Sequence, residues 1–99
     1  MRYLLIYNAG PEYVERRGAF RADHLKLVAD CYHRGELTQA GALAEPADGA
    51  VFVFTTRQAA EAFAAADPYV ANQVVRGWQV RQWFVVAGDG AETVPGFQL

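Results

Sequence analysis

The sequence predicts an α+β domain with elements in the order strand, helix, strand, strand, helix, strand. Three observations carry this. The spacing of apolar residues switches between strand and helix periods along the chain, and Gly, Pro or Asn marks most of the switches. The 99 residues suffice for one hydrophobic core and are too few for two. The hydrophobic share of 53% stands at the upper edge for a globular chain and asks for burial on more than one surface.

Arg2 to Tyr7 is short, aromatic and β-rich, as a first strand should be. Asn8 to Pro11 is a turn cluster that predicts its end. From Gly18 to Arg34 the period becomes helical. Phe20, His24, Leu27 and Cys31 fall at steps of four, three and four, and Leu25, Val28 and Tyr32 are expected to widen that face. Gly35 directly after Arg34 suits a left-handed stop. Leu37 to Leu43 and Ala50 to Thr55 read as a hairpin around a turn with Pro46, Asp48 and Gly49.

Thr55 and Gln58 have capping-box spacing ahead of an alanine-rich helix. Asp67-Pro68 ends that helix and suits the start of another, with Asp67 as N-cap and Pro68 at the first helical position. A short helix is expected over Tyr69 to Val75, and a long final strand over Trp78 to Ala87. One domain over 1–99 follows, with its core at about 2–87 and a Gly- and Pro-containing tail from Gly88. A four-stranded antiparallel sheet with both helices on one face, the ferredoxin-like split βαβ arrangement, satisfies this order without long loops.

A sheet covered on one side should alternate apolar and polar residues. These strands do not. Tyr3, Leu5 and Tyr7 oppose Leu4 and Ile6; Val51 and Val53 oppose Phe52 and Phe54; Phe84 and Val86 oppose Trp83 and Val85. Two helices cover one face, so the other is expected to meet a second copy, making a homodimer through the sheet face.

The formal charge of −2 and the absence of a basic stripe give no reason to expect nucleic acid, because Glu12, Glu15 and Asp23 dilute Arg16, Arg17 and Arg21. The single Cys31 cannot form an internal disulfide. No apolar run approaches the roughly 18 residues of a membrane span, and the N-terminus lacks a signal-peptide pattern. A cytoplasmic protein is expected, with no nucleic-acid or membrane partner. There is no Gly-rich phosphate loop, and His24 and His33, nine apart, face different sides of one helix, so no metal or cofactor is expected.

His24 is the first candidate for chemistry, since imidazole titrates near neutral pH and can move protons. The plainer reading is a core-edge histidine bonded to a backbone carbonyl. Asp67 is the second, either a helix cap or a carboxylate that orients His24. Tyr69 follows it and either lines the same cavity or packs. Arg21, one turn before His24, either binds an anionic substrate or is a solvated helix charge. Tyr7, at the end of its strand, could aim its phenol at a pocket between helix and sheet. Trp78 and Trp83 suit anchoring better than ligand binding.

Taken in order, these segments resemble a known family, the YCII-related (YciI-like) proteins. RADHLKLV, with Arg21, His24 and Leu25, is similar to the family's R-x-x-H-L segment. LTQAGAL at 37–43 resembles its strand leading into a Gly-Pro turn, with Gly41-Ala42 here. AAADPY at 64–69 is similar to A-x-x-D-P-[FY], and RQW at 81–83 to R-P-[WF], with Gln82 for proline. The resemblance runs from Tyr3 to about Val86. It implies a ferredoxin-like fold in a dimeric α+β barrel, and a His–Asp pair that would here be His24 and Asp67. One branch of the family is a dehydrochlorinase of a chlorinated hydroxyhydroquinone; for most members the reaction is unassigned, and fold analogy alone does not transfer function.

Three functions compete. The first is a small cofactor-independent enzyme, lyase- or isomerase-like, on a small polar or aromatic metabolite. His24 would shuttle a proton, Asp67 would hold the imidazole, and Arg21 or Tyr7 would steady an oxyanion. The second is a non-catalytic module that binds a small molecule. The third is a purely structural or partner-binding dimer, which predicts no pocket of useful size, roughly under the 300 Å³ common for ligand sites.

Overall fold

The computed structural model describes residues 1–97. Its elements are β1 (Arg2–Ala9), α1 (Tyr13–Arg16), a 3₁₀ turn (Arg17–Phe20), α2 (Arg21–His33), β2 (Leu37–Ala42), β3 (Gly49–Phe54), α3 (Arg57–Ala66), α4 (Pro68–Ala71) and β4 (Val75–Trp83). The sheet order is β2-β3-β1-β4, and every neighbouring pair is antiparallel. The two βα units therefore interleave, with β1 and β3 at the centre, as the element order predicts.

Strand register sorts the side chains into two sets. Leu5 lies between Phe52 and Val80, and Tyr7 between Ala50 and Trp78. Leu5, Tyr7, Phe52 and Phe54 are all buried on the side that carries the helices, packed with Ala60, Phe63 and Ala64 of α3. The alternate residues Leu4, Ile6, Val51 and Val53 point the other way and are only half-buried. α2 lies over β2, at the sheet's edge, and α3 lies over β1, β3 and β4.

Several boundaries differ from expectation. The final strand is Val75–Trp83, not 78–87. Its partner explains both ends. β1 continues through Asn8 and Ala9, so Ala9 pairs Val75; at the other end Arg2 pairs Trp83, and β1 offers nothing beyond. Phe84 and Val86, expected on a sheet face, are instead exposed and outside the sheet. The short helix ends at Ala71 rather than Val75, because Gln73 takes a positive φ of 57° and Val74 and Val75 are already buried against the core.

The first helical region starts at Tyr13, upstream of Gly18. Tyr13 is buried, but its polar neighbours Glu12, Glu15 and Arg16 mask any apolar period. Leu25 and Tyr32 do not widen the buried face; they are 45% and 58% exposed. α2 sits at the sheet's edge, so its outer flank has no strand beneath it. Thr56, not Thr55, caps α3 by accepting from the Ala59 amide, while the Thr55 hydroxyl donates to the Glu36 carbonyl.

Two glycines act by conformation and by closeness. Gly35 has φ +77° and closes α2 in a Schellman arrangement, with the Glu36 amide donating to Cys31 and the Gly35 amide to Tyr32. Gly49 starts β3 hard against the backbone of Tyr7, where a Cβ would collide with the Tyr7 carbonyl. That approach holds the C-terminal end of β1, and with it the Tyr7 side chain, in place.

Candidate functional site

Asp67 is the hinge of the site. It caps the N-terminus of α4, its Oδ1 accepting from the Tyr69 amide at 3.0 Å. Asp-Pro encodes this locally: the aspartate takes the cap position and Pro68 begins the helix without an amide to satisfy. The tertiary fold then adds two more donors. The Tyr7 hydroxyl donates to Oδ2 at 2.6 Å, and His24 Nδ1 lies 3.0 Å from Oδ1 and 2.9 Å from Oδ2. The side chain is fully buried. A buried carboxylate is costly unless its lone pairs are occupied, and here three groups occupy them.

The partner sets the tautomer of His24. A carboxylate only accepts, so Nδ1 carries the proton that lies between them, and in the neutral ring Nε2 is the nitrogen with the lone pair. Nε2 has no partner among the described residues and is not sealed in the core. The ring is held flat by Tyr69, stacked at 3.9 Å between centroids and 7° between planes. Phe52 and Phe63 meet it edge-on at 6.1 Å.

His24 opens onto a cavity of about 200 Å³. Tyr69, Phe52 and Ala50 form buried wall, Ala40 to Ala42 of β2 form the outer side, and Tyr13, Arg17 and Arg21 complete it. Asp67 and Tyr7 are not in the wall; they stand behind the histidine. Burial pushes the Tyr7 phenol well above its ordinary value, and its hydrogen bond to Asp67 pushes in the same direction. Tyr7 therefore stays a donor to Asp67. Burial raises the Tyr69 phenol too, with the neighbouring Tyr13 adding to it; Arg21 and Arg17 pull it back.

Of the five residues singled out from the sequence, His24, Arg21 and Tyr69 line the cavity, and Asp67 stands behind His24, bonded to it and to the Tyr69 amide. Tyr7, expected to aim its phenol at the pocket, instead turns it to Asp67 behind the ring, because the buried carboxylate needs a donor there. Arg17 and Tyr13 were missed. Arg17 is four residues before Arg21 and seven before His24, a helical spacing that could have found it; the acids around it obscured it. Cys31, His33, Trp78 and Trp83 lie outside the cavity wall. Among the described residues, no group of three or more His, Cys, Asp or Glu is placed to hold a metal ion. No described helix is long and apolar enough to cross a membrane.

The family model of the YCII-related domain matches residues 1–84. The chain belongs to the YCII-related family. Among solved structures, this YCII-related protein is similar to 5-chloro-2-hydroxyhydroquinone dehydrochlorinase (TftG) from Burkholderia phenoliruptrix, in complex with 2,5-dihydroxybenzoquinone. The TM-score is 0.71 at 15% identity, covering 93% of this chain and 100% of that one. Likeness at that identity establishes the shared α+β fold. No curated protein matches the chain.

Proposed function

We propose that this YCII-related protein is a small cofactor-independent enzyme, lyase- or isomerase-like, that moves a proton on a small polar or aromatic metabolite. One observation carries the reading: His24 is tied through Nδ1 to a buried aspartate while Nε2 is left to a cavity of about 200 Å³. An imidazole that only filled the core would have no use for an open cavity on its free nitrogen. The cavity is smaller than the roughly 300 Å³ common for ligand sites, which restricts the ligand to a single small ring, since a cavity of about 150 Å³ holds benzene. The similar solved structure is of a dehydrochlorinase with a dihydroxybenzoquinone bound, which favours an oxygenated ring and an elimination.

In this reading Nε2 takes a proton from the substrate as general base and returns it as general acid. Asp67 fixes the tautomer and steadies the imidazolium. Tyr7 positions Asp67, and Tyr69 lies along the substrate's flank. The protein works in the cytoplasm as a homodimer, the half-buried Leu4, Ile6, Val51 and Val53 of one sheet packing on those of a second copy.

The test is turnover of oxygenated aromatics, 5-chloro-2-hydroxyhydroquinone among them, by wild type and His24→Asn. Wild type is expected to turn over at least one, and the variant to be slower by about 10²- to 10⁴-fold. Equal turnover by both proteins rejects the reading. Binding without turnover assigns the fold to a non-catalytic binding module instead.

A further inference from the structure

The cavity beside His24 is electrically lopsided. Two guanidinium groups, Arg17 and Arg21, contribute to its wall, and no carboxylate does. Asp67, the nearest acid to His24, is fully buried behind the ring and spends its lone pairs on Tyr7, His24 and the Tyr69 amide. Neither arginine forms an ion pair with an acid among the described residues. Neighbouring arginines behave otherwise: Arg16 turns away to the carbonyls of Asn72 and Gln73, and Arg34 pairs with Glu36.

Their placement is costly for a helix. Arg17 and Arg21 are four residues apart across the junction of the 3₁₀ turn and α2, a spacing at which like charges repel. Arg17 is oriented by Tyr13, its guanidinium 5.1 Å from the ring centroid. Both arginines line the same cavity as Tyr69, which is stacked on His24, and their charges partly offset the rise that burial imposes on its phenol. The floor is closed by aromatic and aliphatic groups, and the charged groups sit at the more exposed rim.

We propose that Arg17 and Arg21 form a two-arginine anion clamp at the mouth of the His24 cavity, selecting substrates that carry a carboxylate or phenolate on a single ring. The proposal rests on the reading that this cavity holds the substrate, and adds what Arg17 does and which charge class enters. The planar guanidinium suits a carboxylate edge-on with two donors. A ring extending inward from that anion would lie against Tyr69 and Phe52, with His24 Nε2 facing it. Arg17 acts as a specificity-determining residue: it sets which rings bind and takes no proton.

The test uses 2-hydroxybenzoate and its neutral counterpart 2-hydroxybenzamide, titrated calorimetrically. The anion is expected to bind about tenfold more tightly than the amide, and to weaken as salt rises from about 50 to 500 mM. Arg17→Gln and Arg21→Gln should each weaken the anion about threefold, and the double variant about tenfold, with the amide unmoved. Arg21 is exposed and Arg17 half-buried, and neither forms an ion pair among the described residues, so the variants should fold; an unchanged circular dichroism melt checks this. His24→Asn should keep the preference for the anion. The clamp is overturned if the anion and amide bind alike, if Arg17→Gln leaves the anion's affinity unchanged, or if neither probe binds at about 20 mM. Failure of the enzyme reading looks different: no substrate is turned over while the charge preference persists. Turnover of neutral rings without anion preference leaves that reading intact and removes the clamp.

Discussion

The two faces of the sheet are made from the same strands by alternate residues, and they carry different work. On the helix side, Leu5, Tyr7, Phe52 and Phe54 are sealed by α3 and α2, and the Tyr7–Asp67–His24 chain is set among them. On the other side, Leu4, Ile6, Val51 and Val53 form an apolar stripe that no helix covers. The covered face can hold a carboxylate in a dry place because packing excludes water and supplies its donors. On the open face Leu4 and Ile6 lie between Val53 and Val51 on one side and Arg81 and Gln79 on the other, and in the homodimer proposed above its apolar part would pack on a second copy. One residue step along β1 thus separates the buried Leu5 and Tyr7 from the half-buried Leu4 and Ile6.

The contrast should be visible in substitutions. Asp67→Asn keeps a side chain able to cap α4 but loses the acceptor that holds the Nδ1 proton. Turnover should fall about 10³- to 10⁴-fold, because the imidazole then settles in the other tautomer. The measurement is kcat on whichever ring is turned over, and a fall under about tenfold would break the assignment of Asp67 as the orienting group. Next in size is Phe52→Ala, which opens a cavity beneath Tyr7, Phe63 and the histidine. Denaturant unfolding should show a loss of about 3–5 kcal/mol.

Ile6→Asp tests the open face from the opposite direction. Its neighbour Leu5 is in the core, but Ile6 is not, so the chain should stay folded, with a loss of about 1 kcal/mol or less. Light scattering is expected to report a dimer for wild type and a monomer for the variant. A dimer that survives the aspartate places the interface elsewhere.

The smallest effect belongs to Tyr7→Phe. Burial and Asp67 raise the Tyr7 phenol in the folded state above its ordinary 10.0. The folded protein therefore holds that proton where the unfolded chain has lost it. The stability tied to it is complete below pH 10 and lost progressively as pH rises beyond. Tyr7→Phe should cost about 1 kcal/mol at neutral pH, for the lost hydrogen bond, and should flatten the decline above pH 10. Parallel slopes in wild type and variant, in urea melts from pH 9 to 11, would show that Tyr7 is not the group responsible.

Much of the fold was legible because its signals are local. The 3.6-residue period through Phe20, His24, Leu27 and Cys31, the Gly35 stop and the Asp67-Pro68 start each rest on a few consecutive residues. What misled was also local. Asn8 and Ala9 look like a turn yet extend β1, because Gly77 and Val75 lie opposite to pair with them. Trp83 to Val86 looks like strand yet leaves the sheet at Trp83, because β1 has run out of partners. The acids around Tyr13 and Arg17 masked the helical spacing that links Arg17 to Arg21 and His24, and only the fold brings both residues to the cavity wall.

By itself the sequence determined the element order, the helix face bearing His24, the cap at Asp67 and the apolar excess on both sides of the sheet, since each follows from periodicity or from hydrogen bonds within a few residues. Only the tertiary structure decided that Tyr7, His24 and Asp67 share one hydrogen-bonded group, that His24 lines a cavity, and that Arg17 joins Arg21 in its wall. Tyr7 and Asp67 are 60 residues apart, and His24 and Asp67 are 43. Closeness across such separations is set by strand pairing and by how α2 and α4 pack over the sheet, and no local pattern encodes it.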